Sequence, residues 1–136
     1  MSAQIRDVAL KITGSGKKLV VVLSVPEMPF NAPDTLGVRL ALHLPLPEGP
    51  TVASLGPRRD GANEAIRSGL EGLDATLVEP VAAFCDQRCR YTTADDKSLY
   101  FDSNHLSLYA ADIVTSMLDR QVKPNLGERD SSRSEK

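Results

Sequence analysis

The stretch that most restricts this chain of 136 residues is Leu19-Val20-Val21-Val22-Leu23-Ser24-Val25. It is apolar and β-branched without polar alternation, the pattern of a strand buried on both faces of a parallel sheet. Ahead of it, Ile5, Val8, Ala9 and Ile12 share one helical face. Ser2 is placed to cap that helix, and Gly14-Ser15-Gly16 to end it. Helix, tight turn and buried strand in this order form an α/β signature, in which a further strand is expected before the helix.

The strand exits into Pro26-Glu27-Met28-Pro29-Phe30-Asn31-Ala32-Pro33, a proline-stiffened loop at the sheet edge where open α/β folds bind ligands. A short helix is expected within Asp34 to Leu44. The prolines and glycines from Pro45 to Pro57 then predict a long surface excursion, of the kind that forms a lid or an insertion. Asp60 is placed to cap a helix with Ala62, Ala65, Ile66, Gly69, Leu70 and Leu73 on one face. Ala75 to Glu79 reads as a second buried strand closed by Pro80, Val81 to Phe84 as an apolar turn, and Ser98 to Phe101 as one more short strand. A last helix carries Ala110, Ile113, Val114, Met117 and Leu118 on one stripe. From Lys123 the apolar pattern stops, so the chain divides into a domain over 1–122 and a polar, disordered tail over 123–136.

Composition excludes several functions. A net charge of −2 leaves no electrostatic footprint for nucleic acid, and the absence of tryptophan supplies no stacking platform. The first residues are polar and carry no signal core, and the longest apolar run is too short to span a bilayer. With only His43 and His105 as histidines, four metal ligands of matching type cannot be assembled from local spacing, and no cofactor is implied. His43, set among leucines, reads as a loop residue, and the Lys17-Lys18 and Arg58-Arg59 pairs as solvated ends of elements. Met28 and Phe30 line either an acyl pocket or the underside of their loop. Cys85 and Cys89 are close enough for a small loop disulfide in an oxidising compartment, or stand as inert thiols.

The chemistry concentrates in Leu99-Tyr100-Phe101-Asp102-Ser103-Asn104-His105-Leu106-Ser107. Asp-x-x-His at a junction into a helix can set a carboxylate against an imidazole, which fixes the tautomer of a general base and supports its protonated form. Ser107 is placed to cap the helix that follows and so to anchor the loop.

This block resembles the last signature segment of SGNH hydrolases, and most closely the SGNH domains fused to membrane-bound O-acyltransferases of the acyltransferase-three family. Lys18 to Glu27 is similar to that subgroup's central strand and its proline-bearing exit, and Val78-Glu79-Pro80 with Cys85 and Cys89 to its strand and paired-cysteine segment. The likeness runs from about Ile5 to Val122. It implies a three-layer, flavodoxin-like α/β fold with a parallel sheet, represented by its later part. It further implies His105 as general base, Asp102 as its orienting acid, a disulfide between Cys85 and Cys89, and a place on the periplasmic face of the inner membrane. The implied partners are a carbohydrate acyl acceptor and a membrane acyltransferase domain.

The family's nucleophile lies in a Gly-Asp-Ser block, and residues 1–136 contain none. Ser15 reads as a turn residue and Ser24 as a strand-end hydroxyl; a cysteine nucleophile at Cys85 or Cys89 is the remaining substitute. Three readings follow: the later part of an acyltransferase or esterase domain whose serine lies outside these residues, a non-catalytic interaction module of the same fold, or a small esterase with an unexpected nucleophile. A sheet short of a strand also predicts an unpaired edge, marginal stability and self-association.

Overall fold

The computed structural model describes residues 1–123, so the expected polar tail lies almost wholly outside the described residues. The element order is α1 (Ser2–Gly14), β1 (Leu19–Val22), α2 (Ala32–Ala41), a 3-10 turn (Val52–Ser54), α3 (Pro57–Leu70), β2 (Ala75–Val78), α4 (Val81–Phe84) and α5 (Leu108–Val122). The two strands pair in parallel, Leu19 opposite Ala75 and Val22 opposite Val78. The Leu23 amide adds one further rung by donating to the Val78 carbonyl at 2.9 Å. The fold is therefore α/β with a parallel sheet, as the β-branched run predicts.

Several local expectations are corrected. Ser2 is the first helical residue and Met1 the cap, with no side-chain cap bond. Asp60 lies inside the first turn of α3, which begins after Gly56 with Pro57, a residue whose fixed φ suits a helix start. β1 is shorter than the apolar run and only partly covered, with Val22 40% exposed, because among the described residues it has a strand neighbour on one side only. Ser98 to Phe101 makes isolated bridges, Thr92 to Ser98 and Tyr100 to Leu106, in place of a strand. The Arg59 side chain is 12% exposed and paired with Asp60, so it is no solvated end.

Helices α1 and α3 pack on each other where a side chain is missing. A Cβ on Gly69 would lie 2.8 Å from the Ser2 carbonyl oxygen and 2.9 Å from the Ile5 Cβ, so glycine sets how closely the helices approach. Leu19 and Val21 face this pair across an apolar groove of about 330 Å³ that also includes Val8 and Leu70. The exit from α2 is a Schellman motif. The Leu44 amide donates to the Arg39 carbonyl and the His43 amide to that of Leu40, with His43 at φ 53° in the left-handed region. That conformation accounts for His43.

The main core sits beyond the strand ends. Met28, Leu55, Phe84, Tyr91, Leu99 and Tyr100 form one buried cluster beneath the loops, with Ala110 of α5 against it. Aromatic geometry orders it: Phe30 meets Tyr91 edge-on at 5.0 Å, and Phe84 lies 6.5 Å from Tyr100. Both tyrosine hydroxyls find carbonyl acceptors, Tyr91 at Pro47 and Tyr100 at Pro26, each at 2.9 Å. Burial pushes the Tyr100 phenol well above the ordinary tyrosine range, keeping it a neutral donor at any physiological pH. Of the two residues weighed for an acyl pocket, Met28 is buried in this cluster and Phe30 packs beside it.

Candidate active site

Residues 99–107 form a closed loop. The Ser107 amide donates to the Leu99 carbonyl at 3.0 Å and the Phe101 amide to the His105 carbonyl at 2.7 Å. The loop leads directly into α5, where the Ser107 hydroxyl oxygen accepts from the Ala110 amide, the cap its position predicts. Tyr100 anchors it from below, 1% exposed and bonded to the loop that leaves β1. The same neighbouring loop grips it from the side: the Met28 amide donates to the Ser103 carbonyl at 2.7 Å and the Ala32 amide to the Asp102 carbonyl at 3.2 Å. Two chain segments far apart in sequence thus converge at the C-terminal edge of the sheet, where the crevice of an open α/β fold lies.

Within this frame Asp102 does two things. Its Oδ1 accepts from the amides of Asn104 and His105, both at 2.8 Å, and its Oδ2 lies 2.7 Å from His105 Nδ1. The Asn104 amide first, then the His105 amide and imidazole, hold the carboxyl at about 2. The carboxylate is therefore ionised at neutral pH and accepts, so in the neutral imidazole the proton sits on Nδ1 and Nε2 is the free acceptor. The imidazole is 73% exposed and the carboxylate 34%. The pair is fixed on one side and open on the other, which suits a base that receives a proton from a group arriving from solvent.

The other sequence candidates stand apart from this pair. Ser24 lies just past β1 beside a cleft of about 310 Å³ between the strand ends and α3, with its amide donating to Asn63. The Ser15 hydroxyl donates to the Ile12 carbonyl at the end of α1, a purely local bond. Cys85 and Cys89 are joined in a disulfide, which leaves neither sulfur as a thiolate. Among the described residues, no serine or cysteine side chain is hydrogen-bonded to His105.

Sequence reasoning missed what the disulfide loop does. The Pro45 to Pro57 excursion is pinned to it: the Cys89 amide donates to the Pro50 carbonyl, the Val52 amide to Gln87, and Arg88 both pairs with Glu48 at 2.9 Å and bonds the Gly49 carbonyl. Gly49 permits the contact, since a Cβ there would collide with the Cys89 carbonyl. Between this wall and Glu27, Met28 and Pro29 lies a cleft of about 580 Å³. Its inner side belongs to the loop that holds the Asp102–His105 turn. The only advance signal was the Pro- and Gly-rich composition of the excursion.

An α/β chain with a parallel sheet and an Asp–His pair at the sheet's C-terminal edge has the layout of a hydrolase or acyl-transfer domain. Residues 1–120 match the SGNH domain found fused to AT3 domains, and the chain belongs to that family. The family joins this domain to acyltransferase and esterase chemistry, with a membrane acyltransferase as its companion domain. No curated protein and no solved structure matches the chain. No helix among the described residues is long and apolar enough to cross a membrane.

Proposed function

We propose that this chain supplies the proton-handling half of an SGNH-type O-acyltransferase or esterase, with His105 as general base and Asp102 as its orienting acid. The nucleophilic serine lies in a Gly-Asp-Ser block outside residues 1–136. In the first step the serine oxygen bonds to the acyl carbon, its proton passes to His105 Nε2, and the donor's leaving group takes a proton back as its bond breaks. In the second, a carbohydrate hydroxyl attacks the seryl ester and gives its proton to His105, and the serine oxygen leaves protonated. Water in place of the sugar gives ester hydrolysis. We place the reaction at the periplasmic face of the membrane, acting on a surface polysaccharide with acetyl as the acyl group. The family match supports this placement, and the disulfide is in keeping with an oxidising compartment.

One observation carries the reading: His105 Nδ1 held at 2.7 Å by an ionised carboxylate, with the far side of the ring open. The test is hydrolysis of p-nitrophenyl acetate by residues 1–136 alone and by the same residues joined to a Gly-Asp-Ser-bearing strand and helix of an SGNH domain. The chain alone is expected to be inert. The joined protein turns over, and loses about a thousandfold or more on His105→Ala. Turnover by the chain alone that disappears on Ser24→Ala would place the nucleophile within it. A joined protein that folds but stays inert would favour a non-catalytic interaction module.

A further inference from the structure

We infer that the Cys85–Cys89 disulfide is a redox latch. Oxidised, it holds residues 47–52 closed as one wall of the cleft beside Glu27; reduced, it lets that segment swing away while the Asp102–His105 turn stays formed. The latch is independent of the acyl-transfer reading above.

Residues 47–52 are fastened to the disulfide loop and the strand leaving it. The Tyr91 hydroxyl donates to the Pro47 carbonyl, Arg88 pairs with Glu48 and donates to the Gly49 carbonyl, the Cys89 amide donates to the Pro50 carbonyl, and the Val52 amide donates to the Gln87 carbonyl. On either side the excursion has anchors of its own. The Leu44 amide bonds the Arg39 carbonyl, and Leu55 is buried in the core cluster. The segment between these anchors can therefore detach without unfolding its ends. Gln87 and Arg88, which carry three of the five attachments, lie exposed within the ring that the disulfide closes. Without the covalent bond that ring keeps two backbone bonds, Asp86 to the Arg88 carbonyl at 3.2 Å and Arg90 to the Phe84 carbonyl at 2.8 Å. Its tip regains conformational freedom that the disulfide had removed. Gly49 transmits the change, because its backbone lies directly against the Cys89 carbonyl.

The histidine turn is held from elsewhere, by Tyr100 on the Pro26 carbonyl, Met28 on Ser103 and Ala32 on Asp102. One bond joins it to the disulfide strand, from the Leu99 amide to the Tyr91 carbonyl, and Tyr91 lies outside the ring with its own aromatic contact to Phe30. Opening the latch therefore spares the turn.

Exposure sets the direction of attack. Cys85 is partly exposed and Cys89 is 2% exposed. A thiolate of a dithiol reductant bonds to Cys85 Sγ, the disulfide bond breaks, and Cys89 leaves as a thiolate that takes up a proton. The second thiol of the reductant then displaces Cys85, so two electrons enter the pair and the reductant departs as a disulfide. A disulfide oxidant runs the exchange backwards and closes the wall. An oxidising compartment keeps the cleft walled on both sides, and a reducing one leaves it open on the side of residues 47–52.

The test is residue-resolved amide hydrogen exchange on the full chain, as prepared, after dithiothreitol, and after reoxidation with glutathione disulfide, with thiol labelling to establish the state of the pair. On reduction, protection of the Val52 and Cys89 amides should fall roughly tenfold or more, while that of Phe101, Leu99 and Ser107 is retained. Reoxidation should restore the first two. The double variant Cys85→Ser with Cys89→Ser should show the reduced pattern from the start and no response to dithiothreitol. If that variant does not fold, reduction and reoxidation of the unaltered chain remain the deciding measurement. Unchanged protection at Val52 and Cys89 on reduction would overturn the latch. So would free thiols in the unreduced chain, a failure to recover on reoxidation, or equal loss at Leu99 and Ser107, which would make the disulfide a staple of the whole fold.

Discussion

Asp102 binds His105 through both of its oxygens, one on the backbone amide at 2.8 Å and the other on the ring at 2.7 Å. The carboxylate that orients the imidazole is therefore the same group that folds the turn presenting it. Removing its charge disturbs the position of the histidine as well as its electrostatics.

The pH dependence follows with a definite sign. The Asp102 carboxyl is depressed to about 2 by the amides of Asn104 and His105 and by the imidazole. An unfolded aspartate titrates near pH ~4, so the turn's contribution is complete above that value and is lost as pH falls through about 2. Amide shifts of Asn104 and His105 should move with a midpoint near the lower value. A midpoint near the unfolded one would show that these bonds do not form in solution.

Two glycines of α3 should respond in opposite directions. Gly69→Ala places a methyl against the Ser2 carbonyl and Ile5 and is expected to cost roughly 1–3 kcal/mol by overpacking. Gly61 has open space where its Cβ would stand, so Gly61→Ala should gain about 0.5–1 kcal/mol from helix propensity. Urea denaturation of both variants checks the pair, and equal effects would refute the close α1–α3 contact.

His43 holds a left-handed conformation at the end of α2. His43→Gly removes the Cβ clash of that region and should raise stability by about 1 kcal/mol. It should also leave p-nitrophenyl acetate turnover of the joined protein unchanged, because this histidine caps a helix and lies outside the Asp102 turn. Loss of turnover would assign His43 a chemical role.

The edge of β1 that lacks a strand neighbour among the described residues, beside exposed Val22 and an apolar groove, should make the chain associate with itself. Light scattering across a concentration series should show mass rising above that of a monomer. Val22→Lys, a charge on the strand edge, should shift the equilibrium back. A monomer at every concentration with one sharp thermal transition would contradict the expectation.

What was legible in the sequence divides along physical lines. The valine run and the α5 stripe follow from residue type and spacing, and each led to the right element; Asp-x-x-His led to a carboxylate–imidazole contact at 2.7 Å. Helix starts were misplaced at Ser2, by one residue, and at Asp60, where Pro57 opens the helix one turn earlier. The core was the larger surprise. Tyr91, Leu99 and Tyr100 lie in segments without period, so no pattern announced that they would bury together with Phe84 and Met28. Gly49 and Gly69 were invisible as packing residues, since their role depends on what approaches them from elsewhere in the chain.

That off-sheet core decides which part of the molecule opens last. A two-stranded sheet with Val22 at 40% exposure has little apolar cover, whereas the amides of Leu99, Ser107 and Met28 bond directly above the buried aromatics. Deuterium should therefore enter the strands before it enters the base of the histidine turn, reversing the usual order in which sheets outlast loops. A molecule whose strands have partly opened is then expected still to present the His105 imidazole.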